Sequence, residues 1–153
     1  MSIQFESRSL TLSVNSENGA IQGIVSEGEL LTGMSEMFTL RMLEKETGEY
    51  RTFSMNDFPQ FACSDNTLCY KGNREYPDWE IRCHIRTDND ALRLRTSMRN
   101  LPDSLQIDLV ELPHVCVPYE NEILWPFGMG CFIREPYKSK RPYHQFGFPY
   151  ENF

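Results

Sequence analysis

Trp79-Glu-Ile-Arg-Cys-His-Ile-Arg-Thr87, Asp88-Asn-Asp90 and Ala91-Leu-Arg-Leu-Arg-Thr-Ser-Met-Arg-Asn100 form the stretch on which the fold turns. In its first half Trp79, Ile81, Cys83 and Ile85 fall on one side, and Glu80, Arg82, His84 and Arg86 on the other. A period of two is the signature of a half-buried strand. Asp88-Asn-Asp90 supplies residues that tolerate turn geometry. The second half alternates again, with Leu92, Leu94, Thr96 and Met98 on one face and Arg93, Arg95 and Arg99 on the other. The segment therefore predicts two neighbouring antiparallel strands, each with one packed and one polar face.

Outward from this pair the pattern repeats. Ser9–Val14 alternates, Asn15-Ser-Glu-Asn-Gly19 turns, and Ala20–Val25 resumes the extended reading. Met37–Leu43 runs through Glu46-Thr-Gly48 into Tyr50–Met55, a second hairpin whose Gly suits a positive φ. Leu105–Pro113 reads as a further strand. No ten-residue stretch carries a helical stripe, and Gly28–Glu36 has room for one helical turn at most. Many short strands separated by turns predict an all-β, antiparallel β-sandwich, alone or as part of a larger supersandwich.

The 153 residues fit one domain, and 40% apolar with 24% charged is ordinary for a globular chain able to bury a core. A net charge of −7 argues against a nucleic-acid binder, which needs a basic surface. No apolar run reaches the length of a membrane-spanning helix. The start Met1-Ser-Ile-Gln-Phe-Glu lacks the basic and apolar blocks of a signal peptide, and the compartment stays open. Five Cys at 63, 69, 83, 116 and 131 are odd in number and widely spaced, and read as small buried residues. The end changes character: residues 134–153 hold three Pro, three Tyr and three Phe without any period. The expected organisation is a sandwich over residues 1–133. The aromatic tail of 134–153 would pack on that sandwich or on a following domain.

Arg82, Arg86, Arg93, Arg95 and Arg99 gather on the polar faces of the central pair. They read either as an anion site or, as the default, as partners of Glu80, Asp108 and Glu111 or of a neighbouring domain. Arginine without lysine favours an interface, because the planar guanidinium suits paired recognition. His84, His114 and His144 have no metal-ligand spacing, and neither a GxSxG elbow nor a phosphate-cradling glycine loop is present. No metal site and no cofactor is expected. Glycoside hydrolysis needs two carboxylates across a cleft. Asp57, Asp78, Glu111, Glu120 and Glu122 are available, but nothing pairs any two. Trp79 belongs to a core face. Trp125, Tyr137 and Tyr143, with Arg134 and Glu122, are the candidates for ligand contact, since amphipathic rings suit ligands and partners alike. In Glu122-Ile-Leu-Trp-Pro-Phe-Gly-Met-Gly-Cys131 the two Gly allow a strand to reverse into Cys131-Phe-Ile133.

The order of elements resembles a known family. Asn18–Gly33, NGAIQGIVSEGELLTG, and Phe38–Phe58, FTLRMLEKETGEYRTFSMNDF, look like the first two hairpins of galactose-mutarotase-like β-sandwiches. Ala91–Val117, ALRLRTSMRNLPDSLQIDLVELPHVCV, and Ile123–Ile133, ILWPFGMGCFI, resemble the strands that follow. Such sandwiches precede a (β/α)8 barrel in several glycoside hydrolases. The resemblance implies a non-catalytic accessory domain of a carbohydrate-active enzyme, with the catalytic carboxylates on the barrel. The alternatives are a stand-alone carbohydrate-binding module and a structural or protein-binding sandwich. A complete mutarotase is larger and uses a His–Glu pair, which none of the three His here matches.

Overall fold

The computed structural model describes residues 1–89 and 91–114 in full, together with the backbone of 123–125 and 131–133. The chain divides into two compact units, Met1–Val117 and Pro118–Phe153. In the first unit every strand pair is antiparallel. Strands β1 (Ser2–Glu6), β2 (Leu10–Asn15), β3 (Ile21–Ser26) and β4 (Glu29–Thr32) form a four-stranded meander. Strands β5 (Thr39–Glu44) and β6 (Tyr50–Ser54) make a hairpin, which β11 (Leu105–Glu111) joins as a third strand in the order β11-β5-β6. Strands β7 (Gln60–Ser64), β8 (Thr67–Lys71), β9 (Glu80–Thr87) and β10 (Leu92–Arg99) form a sheet in the order β10-β9-β8-β7. The second unit contains the hairpin β12 (Ile123–Trp125) and β13 (Cys131–Ile133). This is the reversal its Pro-Phe-Gly-Met-Gly spacer implies.

The alternation read from the central stretch is the alternation the core uses. Trp79, Ile81, Cys83 and Ile85 are all buried, and Leu92, Leu94 and Met98 pack against them as half-buried neighbours. The three sheets of the first unit supply one continuous core. The meander gives Phe5, Leu12, Val14 and Ile21, the β5 sheet gives Leu40, Met42, Phe53 and Leu105, and the β9 sheet gives Leu68 and Tyr70 besides its central row. Trp79 sits at the aromatic centre, edge-on to Phe53 and Phe58 at 5.1 Å and to Tyr76 at 6.1 Å, the T-shaped geometry that rings favour. Its Nε1–H has no acceptor among the described residues.

The first hairpin turns as its composition requires. Asn15 Oδ1 accepts from the Glu17 N–H at 2.8 Å, Asn18 Oδ1 accepts from the Ala20 N–H at 3.0 Å, and Gly19 takes φ = 71°. A side chain at Gly19 would also strike the Tyr70 hydroxyl and the Phe61 ring. The gap is kept because the Tyr70 hydroxyl donates to the Gly19 carbonyl at 3.0 Å, tying the meander to β8.

Within Gly28–Glu36, where the sequence leaves room for one helical turn at most, the chain forms β4, paired with β3, and a 3-10 turn lies at Met55–Asp57. That 3-10 turn is capped by Ser54, whose hydroxyl accepts from the Asn56 N–H while Asp57 accepts from the Ser54 N–H. Strand β11 does not keep one face throughout. A bulge between Ile107 and Leu109 leaves Asp108 extra and shifts the pairing: Ile107, opposite Met42, is exposed, whereas Val110, opposite Leu40, packs half-buried against the core. The expectation of two layers is met only in its coarser form, an all-antiparallel domain in which three sheets share a core.

Candidate functional site: the arginine face

The strand pairing of the β9 sheet dictates what its outer face carries. Across β10 and β9, Arg93 stands opposite Arg86, Arg95 opposite His84, Ser97 opposite Arg82 and Arg99 opposite Glu80. On the other side of β9, Thr67 lies opposite His84 and Cys69 opposite Arg82. Directly opposed residues point to the same face. The five arginines anticipated from the sequence therefore share one surface, joined by Lys71 at the end of β8. Among the described residues the strands of this sheet carry one carboxylate, the buried Glu80, and the connections between them add Asp65, Glu75, Asp78 and Asp88. A chain of net charge −7 thus concentrates six cations on one sheet face.

The default partners foreseen for these arginines hold only at Glu80. Asp108 pairs with Arg41, and Glu111 pairs with His114 Nδ1 at 3.0 Å; both lie on β11, in another sheet. Asp88 takes their place, facing Arg93 Nε at 2.5 Å and Arg86 Nε at 3.5 Å. Arg86 and Arg93 remain mostly exposed, and surface pairs of this kind are worth little. Arg95 and Arg99 are exposed, with no carboxylate within 4 Å among the described residues.

Glu80 is the anchor beneath this face. It is 4% exposed, although it stands on the polar side of β9. Its carboxylate pairs with Arg82 Nε and, at 2.5 Å, with Lys71 Nζ. Burial pushes the carboxyl pKa upward, but the hydrogen bonds from Lys71, Arg82 and Cys69 outweigh it and hold the pKa down at about 2. His84 is held from both sides, Nδ1 at 3.1 Å from the Thr67 hydroxyl and Nε2 at 2.9 Å from the Ser97 hydroxyl. Neither group is poised for chemistry: the carboxylate is fully paired, and the imidazole is spanned by two hydroxyls.

Other reactive groups are equally committed. Burial pushes the Cys83 thiol up to about 12, and the half-buried Cys63 and Cys69 are raised for the same reason first. Thiols in that state are poor nucleophiles. Asp57 caps its 3-10 turn and Glu111 holds His114. Arg51 grips the Glu75 carboxylate with two 2.8 Å bonds and lies over the Phe53 ring at 5.1 Å. Among the described residues no group of three His, Cys, Asp or Glu could hold a metal ion. A shallow surface hollow of about 710 Å³ adjoins the arginine face, lined by polar groups that include Glu6, Arg8, Asn89 and Arg93.

The contacts foreseen for Trp125, Tyr137, Tyr143, Arg134 and Glu122 lie outside the described residues, as do His144 and the tail of 134–153. For Trp125 only the backbone, in β12, is described. The contributions of Lys71 and Asp88 were missed from sequence. The alternation of Thr67-Leu-Cys-Tyr-Lys71 sets the face of Lys71, but the pairing of β8 with β9 that brings it to Glu80 joins strands separated by an eight-residue loop, residues 72–79. Compared with family models, curated proteins and solved structures, the chain matches none.

Proposed function

We propose that this chain is a non-catalytic β-domain that docks through its arginine face onto an acidic surface. The carrying observation is the register of β9 and β10, which gathers Arg82, Arg86, Arg93, Arg95 and Arg99 on one sheet face of an acidic protein. Arg86, Arg93, Arg95 and Arg99 on that face are exposed, while the potential acids, bases and nucleophiles described above are buried or paired. Electrostatic complementarity of this kind steers association and sets orientation. The resemblance read from the sequence supports a setting beside the (β/α)8 barrel of a carbohydrate-active enzyme. There the domain would act as an accessory sandwich, or one part of a supersandwich, with the tail of 134–153 packed on it or on the neighbour.

The test uses the intact chain and poly-L-glutamate at low salt and neutral pH. The reading expects binding that weakens as salt is raised and is lost in the triple variant Arg93→Glu, Arg95→Glu, Arg99→Glu. Absence of binding by the wild-type chain overturns it, as does robust glycoside turnover by the chain alone. A second reading, association through an apolar patch, is supported by Leu30, Leu31 and Met34, which are exposed on and after the edge strand β4. It expects concentration-dependent sedimentation that Leu30→Lys abolishes.

A further inference from the structure

The edge of the β9 sheet narrows what the acidic partner is. Among the described residues β10 pairs with β9 alone, so its other side offers the outward backbone N–H and C=O groups of an eight-residue strand. Such an edge is a template for another strand. It is also the less covered part of the sheet's inner face. Ile81, Cys83 and Ile85 of β9 are buried, whereas Leu92, Leu94 and Met98 of β10 are only half-buried. Backbone groups, a half-covered apolar row and an arginine row thus coincide on one strand.

We infer that β10 accepts an extended acidic segment as a fifth strand of this sheet. The inference rests on the docking reading above and names the form of the partner. The arginines decide against the simplest competitor, a second copy of β10. In a two-fold antiparallel pair, opposed residues share a face. The central registers then set Arg93 against Arg99, or Arg95 against its own copy, and like charges directly opposite are destabilising. A segment with Asp or Glu at alternate positions reverses that sign. Its carboxylates meet Arg93, Arg95 and Arg99 at cross-strand distances of roughly 4.5–5.5 Å between Cβ atoms. Its intervening apolar residues extend the row of Leu92, Leu94 and Met98. Backbone bonds supply affinity and the alternating side chains supply selectivity, the division of labour in strand addition.

The experiment uses the intact chain and a capped heptapeptide, Glu-Val-Ser-Thr-Glu-Val-Glu, written antiparallel to Arg93–Arg99. Two further versions carry backbone N-methyl groups at alternate residues, one in each phase. A strand on a single edge turns only every second N–H toward its neighbour. One N-methylated phase should therefore bind like the parent and the other at least about tenfold more weakly. The Lys counterpart, Lys-Val-Ser-Thr-Lys-Val-Lys, should not bind wild type. It should bind the Arg93→Glu, Arg95→Glu, Arg99→Glu variant, whose substitutions are on exposed side chains and whose fold is checked by circular dichroism. Equal binding of both N-methylated phases, or loss in both, overturns strand addition while leaving acidic docking intact. Failure of the parent peptide with retained polyglutamate binding does the same. Failure of both ligands removes the docking reading as well.

Discussion

Protonating or neutralising Glu80 should reveal how much this one buried carboxylate contributes. Its pKa falls from an ordinary 4.5 to about 2, since the bonds to Lys71, Arg82 and Cys69 exceed the cost of burial. That interval is equivalent to about 3 kcal/mol. The Lys71 and Arg82 side chains are 47% and 28% exposed, so solvent screens the pair and about 2 kcal/mol is the better expectation. The sign follows from the depressed folded-state pKa. The stabilisation is complete above the unfolded value near 4.5 and is lost as pH falls through about 2. Glu80→Gln keeps the shape and removes the charge. Urea unfolding of wild type and variant should therefore differ by about 2 kcal/mol at neutral pH, a midpoint shift of roughly 1 M. The gap should close progressively below pH 4.5, as wild-type Glu80 itself becomes neutral. Other carboxylates titrate in both proteins and cancel in the difference. Parallel stability curves across this range, or no gap at neutral pH, would refute the idea that ion pairing outweighs burial here.

Gly19→Ala places a side chain at φ = 71° and into the Tyr70 hydroxyl and Phe61 ring, so it should cost about 2–3 kcal/mol and lower Tm by roughly 4–10 °C in thermal unfolding. Trp79→Ala should cost about 3–5 kcal/mol by emptying the aromatic centre. Trp79→Phe should cost under about 2 kcal/mol, because it keeps an edge-on ring and deletes an N–H that has no acceptor among the described residues; denaturant titration of the two variants separates these outcomes.

The candidate surface was legible wherever it depends on alternation within a strand. Arg82, Arg86, Arg93, Arg95 and Arg99 could be assigned to one face from position alone, because successive side chains of a strand point to opposite sides. The turns at Asn15–Gly19 and Glu46–Gly48 were equally readable, since Asx hydrogen bonds and positive φ are local matters. Long-range pairing was not readable in the same way. Asp108 and Glu111 looked like available partners of the arginines, yet β11 pairs with β5 and delivers Asp108 to Arg41, while Glu111 holds His114, three residues along the chain.

By itself, then, the order of residues determined the extended backbone, the sidedness of the central strands and the residues that turn the chain, because each is governed by neighbours one to four positions away. Tertiary structure decided which strands became neighbours and which stood at an edge. It set the bulge that turns Val110 inward, buried Glu80 between Lys71 and Arg82, and left β10 with an unpaired side among the described residues. Those outcomes depend on contacts between distant segments, where the shared apolar core selects among pairings that local alternation permits equally.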